Sequence, residues 1–127
     1  MANYVLDASA LLALLNAETG AELVQDFLPD ASISTVNLAE VVTRLSAVGM
    51  PENDIRNTLT LLGLEVIHFD EEQAYQAGLL YSYGQVYGLS LGDRACLAWA
   101  RASAATAVTA DRAWKELDLG IEIKLIR

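Results

Sequence analysis

Residues 3–15 read N-Y-V-L-D-A-S-A-L-L-A-L-L. Asn3–Leu6 is a short apolar run of the kind a buried strand needs, and Ala8–Leu15 carries helical spacing. Asp7 stands between them, at the carboxyl end of the strand. The same succession recurs along the chain. Further strands are predicted at Ala31–Ser34, Glu65–His68, Thr106–Thr109 and Ile121–Leu125. The helices predicted between and after them are Thr19–Leu28, Val36–Val48, Pro51–Leu62, Glu71–Tyr87, Leu91–Ser103 and Arg112–Leu117. Short Val/Ile/Leu-rich strands alternating with helices predict an α/β fold, a parallel sheet covered on both faces.

Boundary residues support this division. Asp70 with Gln73, and Ser90 with Asp93, read as helix caps with their partners. Pro51 suits a first helical turn, and Gly49, Gly63 and Gly88 suit positions just past helix ends. Val36–Val48 and Pro51–Leu62, joined by Gly49-Met50, form a predicted helical hairpin. No linker, repeat or low-complexity tract interrupts the chain, so one domain over residues 1–127 is expected.

Composition removes several kinds of chemistry. The 127 residues are 54% hydrophobic and 20% charged, which excludes disorder driven by charge excess. No apolar run approaches the ~20 residues of a membrane span, and no basic region followed by an apolar stretch opens the chain. The lone Cys96 cannot form an internal disulfide and fits a reducing cytoplasm. One Cys and one His cannot build a structural zinc site. Phosphate-binding glycine loops and the G-x-S-x-G element are absent. A formal charge of −9 also argues against general, charge-driven attachment to nucleic acid. Any catalysis must rest on carboxylates.

The alternation gathers such carboxylates. In an open parallel sheet, ligands bind outside the carboxyl ends of the strands. Asp7 ends the first strand, Glu40 lies in the second turn of the helix leaving the second, and Asp111 follows the fourth. Asp93 opens the helix that delivers the chain to the fourth strand, and that helix must start at the same rim. Each acid has a plainer role available. Asp7 and Asp111 suit N-caps, Asp93 suits the third position of a capping box, and Glu40 could pair with Arg44 at i+4.

Four carboxylates sharing one rim repel unless a cation separates them, and oxygen-only ligation suits Mg2+ or Mn2+. Such an ion polarises a phosphoryl oxygen and lowers the pKa of water, which is the chemistry of phosphodiester hydrolysis. Ser9, Thr35 and Thr109 lie close to the acids in sequence, where they could orient carboxylates or cap helices. Arg94 and Arg112 directly follow two of the acids, where a guanidinium could hold a substrate phosphate or balance the carboxylates. Six of the eight basic residues fall in the last 34 positions, and residues 1–43 contain none.

Four segments in order, V-L-D-A-S-A-L-L-A-L-L, S-T-V-N-L-A-E-V, L-S-L-G-D-R-A-C-L-A and A-V-T-A-D-R-A-W, resemble the PIN-domain ribonucleases, and among them the VapC-like toxins of toxin–antitoxin pairs. The resemblance spans essentially the whole chain. It implies a five-stranded parallel sheet of order 3-2-1-4-5, with Asp7, Glu40 and Asp93 as core acids and Asp111 as a more variable fourth. Ser9 and Thr109 match the hydroxyls beside them. It further implies RNA cleavage with Mg2+ or Mn2+, a homodimer, and a small antitoxin partner whose basic segment could neutralise the acid rim.

The other notable residues are expected to be structural. His68 ends a strand expected at the sheet edge, remote from the acids. Cys96, Trp99 and Trp114 are expected in the core, with interface contact an alternative for the tryptophans. Tyr75, Tyr81, Tyr83 and Tyr87 share a helix with apolar neighbours, so several are expected in the core or a subunit interface. Two other functions compete with the nuclease. An Asp after strand one also suits a phospho-aspartyl receiver or phosphatase, although this chain reads T-A-D-R and D-A-S where those want a lysine and D-x-D. The third is a non-catalytic module whose acids bind a basic partner.

Overall fold

The computed structural model describes residues 2–82 and 87–127. Its strands are β1 (Tyr4–Leu6), β2 (Ala31–Ser34), β3 (Glu65–Ile67), β4 (Thr106–Thr109) and β5 (Ile123–Leu125). Every pairing is parallel and the order is β3-β2-β1-β4-β5. Leu6 is level with Ile33 on one side and Val108 on the other. The chain therefore runs outward from β1 to β3, then crosses back to β4 and β5. Adjacent strands β1 and β4 lead away in opposite directions, which opens a crevice at their carboxyl ends.

The helices are α1 (Ala8–Leu15), α2 (Ala21–Phe27), α3 (Thr35–Ala47), α4 (Glu52–Leu61), α5 (Glu71–Leu79) and α6 (Leu91–Ala102), with 3-10 turns at Leu28–Asp30 and Arg112–Glu116. Alternate strand residues point to opposite faces, and the two cores follow that period of two. Leu6, Ile33 and Val108 join Leu11, Val24 and Val41 on one face. Val5 and Ala107 join Leu80, Leu97 and Trp114 on the other. Cys96 and Trp114 are fully buried, and Trp99 packs against the same cluster partly covered. The three inner strands β2, β1 and β4 carry no charged residue, because both of their faces are covered, whereas the edge strands β3 and β5 expose Glu65 and Lys124.

Element ends differ in detail from the sequence expectations. Pro51 is the N-cap of α4 rather than a member of its first turn. Helix α5 stops at Leu79 with Leu80 as its C-cap, short of Tyr87; part of the predicted extension, with Tyr83, lies outside the described residues. The other three tyrosines are not in the core. Tyr75, Tyr81 and Tyr87 are all exposed, with Leu79 and Leu91 exposed beside them in sequence. His68 follows the edge strand β3 and is exposed. Among the described residues, no helix is long and apolar enough to cross a membrane.

Candidate active site

Asp7 leaves β1 with its backbone N–H still donating to Val108 O at 3.1 Å, so the sheet itself fixes its position. Its side chain caps α1. Oδ1 accepts from Ala10 N at 2.8 Å and from Ser9 Oγ at 2.7 Å, while Oδ2 accepts from Thr109 Oγ1 at 2.5 Å. Each hydroxyl also accepts a backbone N–H of the chain leaving β4, Ser9 from Ala110 at 2.9 Å and Thr109 from Asp111 at 3.0 Å. Two hydroxyls thus clamp one carboxylate and the β4 exit together. Asp7 is only 4% exposed. Burial raises its pKa to about 6, against the lowering pull of the Thr109, Ala10 and Ser9 hydrogen bonds, and the charge of Asp93 adds a smaller push upward.

Asp93 sits in the first turn of α6 as the third-position member of a capping box. Ser90 Oγ accepts from Asp93 N at 3.1 Å, and Asp93 Oδ2 accepts from Ser90 N at 2.9 Å. Its carboxyl is also held above the ordinary range, first by partial burial and then by repulsion from Asp111, despite the Ser90 hydrogen bonds and nearby Arg94. Asp111 caps the 3-10 turn through Oδ1 and Ala113 N at 3.0 Å. The capping roles available to these three acids are therefore all realised. A cap occupies one or two lone pairs of a carboxylate and leaves the rest free, so capping orients these groups without consuming them.

Glu40 is placed by residues that sequence reasoning passed over. Asn37, one turn earlier on α3, donates through Nδ2 to Glu40 Oε1 at 2.9 Å and to Gly92 O at 3.0 Å. The Glu40 carboxylate rests over Gly92, where an added Cβ would lie 2.6 Å from Glu40 Cδ. Among the described residues Glu40 makes no ion pair with Arg44. Only the i, i+3 spacing of Asn37 and Glu40, with a glycine directly before Asp93, hinted at this in the sequence.

Asp7, Glu40, Asp93 and Asp111 line one cavity of about 430 Å3, together with Ser9, Asn37 and Arg44. Asp7 forms its buried floor, Asp93 is half-buried, and Glu40 and Asp111 stand exposed at the rim. The fields of Asp7, Asp93 and Glu40 all reach the buried Cys96 thiol, whose pKa is driven far up by burial first and by these charges second. Cys96 is therefore a core thiol, 4.0 Å from Val5 O.

Three expected participants are elsewhere. Thr35 Oγ1 accepts from Phe69 N at 3.0 Å and ties the β3 exit to α3; Ser34, not Thr35, is the α3 cap. Arg94 turns toward α5, donating to Ala77 O at 3.0 Å and lying over the Tyr81 ring at 5.6 Å. Successive helical residues point about 100° apart, so following a site acid directs Arg94 away from it. Arg112 is exposed and does not line the cavity. The arginine that does is Arg44, one turn beyond Glu40.

The donor set fits a hard divalent cation. Every donor is oxygen, burial and then repulsion among the acids hold the two innermost carboxyls above their ordinary range, and Asn37 Oδ1 is buried with no partner. Among the described residues no three His, Cys, Asp or Glu side chains stand close enough to grip one ion directly. Mg2+ does not require that, since it keeps several waters and uses one or two carboxylates.

A parallel α/β domain with acids from four separate segments on the carboxyl rim of its sheet defines an acid-centred site of one fold type. The PIN domain family model matches residues 4–119, and the chain belongs to that family. Three solved structures with the same fold are of toxin–antitoxin proteins. DNA-bound VapBC from Salmonella typhimurium aligns over 100% of both chains at 19% identity and TM-score 0.77. VapBC2 from Rickettsia felis, bound to a fragment of its promoter, aligns over 95% of this chain and 96% of its own at 19% identity and TM-score 0.73. VapBC-1 from nontypeable Haemophilus influenzae aligns over 97% of each at 17% identity and TM-score 0.73. A comparison with curated protein sequences gives no match. Membership of the PIN family sets aside the receiver and phosphatase alternatives.

Proposed function

We propose that this protein is a metal-dependent endoribonuclease, acting in the cytoplasm as the VapC-like toxin of a toxin–antitoxin pair. One observation carries the reading: Asp7, Glu40, Asp93 and Asp111 come from four separate segments and line a single cavity on the carboxyl rim of the sheet. Asp7, Asp93, Glu40 and Asp111 are the residues that would hold Mg2+ or Mn2+, one or two of them directly and the others through the ion's waters. The ion would supply polarisation of a scissile phosphodiester and activation of a water at neutral pH.

The protein's own residues supply the rest. Ser9 and Thr109 keep Asp7 in one rotamer, and the hydrogen bonds they donate favour its charged form against the burial that opposes it. Arg44 is the group on the cavity wall able to meet a substrate phosphate, a role expected earlier for Arg94 and Arg112. The acid rim repels RNA at long range, so the substrate must be held locally, by cation and arginine. Without its four site acids the chain has 13 acidic and 8 basic residues, so even the remaining surface offers no general attraction.

Two partners belong to this reading. An apolar groove of about 870 Å3 runs between α3 and α4, lined by Leu38, Val42, Met50, Ile55, Leu59 and Val66. Its mainly apolar lining suits an apolar segment of a small antitoxin, and basic residues on that partner would complement the acid rim. Homodimerisation is supported by the exposed Tyr75, Leu79 and Tyr81 on and just after α5. The direct test is incubation of single-stranded RNA with the purified chain in Mg2+ or Mn2+, in chelator, and with Asp7→Asn in its place.

A further inference from the structure

We infer that Gly92 and Asn37 form a seat for the Glu40 carboxylate and are positioning residues of the acid centre; the inference rests on the nuclease reading above. Two independent features carry it. The first is the Asn37 amide. Asn37 is 1% exposed, and both of its Nδ2 bonds go to acceptors, Glu40 Oε1 at 2.9 Å and Gly92 O at 3.0 Å. The reverse amide orientation would set Oδ1 against those two acceptors, so chemistry fixes the side chain in this sense. The consequence is a buried Oδ1 with no protein donor, on a side chain that lines the acid cavity. A buried acceptor left unpaired is costly, and its retention here serves the bond on the other side of the amide.

The second feature is the missing side chain at Gly92. Gly92 is buried in the first turn of α6, with no positive φ to require glycine. In a helix glycine is less favourable than alanine. Its use here has a local cause: a Cβ would overlap Glu40, meeting Cδ at 2.6 Å and both carboxylate oxygens more closely still. Glycine makes room for the carboxylate directly beside Asp93, and Asn37 ties it there. The obstructed group is the tip of a flexible side chain, so a methyl at position 92 displaces Glu40 rather than breaking the fold.

The experiment compares the full-length wild type with Gly92→Ala, Asn37→Ala, Glu40→Ala and the Gly92→Ala/Glu40→Ala double variant. Mn2+ binding is followed by calorimetry, and metal-free melting reports stability. Gly92→Ala is expected to melt no lower than wild type yet bind Mn2+ about tenfold more weakly, one carboxylate's share of a charged site. In the Glu40→Ala background the same change is expected to shift affinity less than about twofold, because it acts through Glu40. If Asn37→Ala fails to fold, Gly92→Ala still decides the matter. Wild-type affinity in Gly92→Ala, or an equal loss in both backgrounds, overturns the inference. The Asn37 side-chain amide, read by NMR without metal, gives a second measure. The amide proton donated to Glu40 is expected to shift upfield in Gly92→Ala and Glu40→Ala, while the one donated to the Gly92 carbonyl changes little; an unchanged Glu40-facing signal overturns the seat. If wild type binds no Mn2+, the metal-nuclease reading fails while the amide signals still judge the seat.

Discussion

The Thr109 hydroxyl lies 2.5 Å from Asp7 Oδ2, joining residues 102 apart in sequence where β1 and β4 end side by side. That bond does two things at once. It stabilises a carboxylate that burial disfavours, and through the Asp111 N–H it fixes the loop carrying the fourth acid.

Thr109→Val keeps the shape of the side chain and removes the hydroxyl. It leaves Asp7 Oδ2 and the Asp111 N–H without their partner, an expected loss of about 1–3 kcal/mol. Urea unfolding at pH 5 and pH 8 checks this. The loss is expected to be larger at pH 8, where Asp7 is ionised; an equal loss at both would assign Thr109 a packing role alone.

Asp7 makes metal-free stability pH-dependent. Its folded pKa of about 6 lies above the ordinary 3.8, so the folded state favours the proton. The stability this gives is full below about pH 4 and is lost as pH rises through about 6, by about 3 kcal/mol. Asp93 shifts in the same direction. Asp7→Asn is expected to remove most of this slope in chelator, and to be more stable than wild type at pH 8. Parallel pH–stability curves for the two proteins would contradict it.

Most of the frame was legible from the chain because its signals are local and repeated. Five short apolar runs set among helical stretches gave the parallel sheet, and the acids at their carboxyl ends gave the rim. What escaped was side-chain direction. Arg94 follows Asp93 by one residue and so faces α5, and Thr35 follows the cap Ser34 and so reaches Phe69. Asn37 reads in sequence as an ordinary polar helical residue; only the packing of α3 against α6 turns it into a bridge. The tyrosines share their predicted helix with Ala74, Ala77 and Leu80, which reads as core or subunit interface; Ala77 and Leu80 take the core side while Tyr75 and Tyr81 are exposed, which leaves the interface expectation open.

Capping and site roles at Asp93 can be separated. Asp93→Asn retains an oxygen able to accept from Ser90 N, whereas Asp93→Ala removes it. Asp93→Ala is expected to cost about 1 kcal/mol of stability, and Asp93→Asn little of it. Both are expected to lose Mn2+ binding. Retained binding in Asp93→Asn, read by calorimetry, would make Asp93 a cap only.

The two arginines should divide the same way. Arg44→Ala is expected to raise KM for RNA roughly tenfold with kcat little changed, as for a lost contact to a charged phosphate. Arg94→Ala loses its bond to Ala77 O and its place over Tyr81, an expected cost of about 1–2 kcal/mol in stability. An unchanged KM in Arg44→Ala would remove that residue from substrate binding.

Cleavage of a defined single-stranded RNA by purified wild type, Asp7→Asn and Asp93→Asn, side by side in Mg2+ or Mn2+ and in chelator, bears on the whole reading. The expected result is endonucleolytic cleavage by wild type with metal, abolished in chelator and reduced about 100-fold or more in both variants. Cleavage by either variant at the wild-type rate, or wild-type cleavage indifferent to chelator, would contradict an acid-centred, metal-dependent ribonuclease.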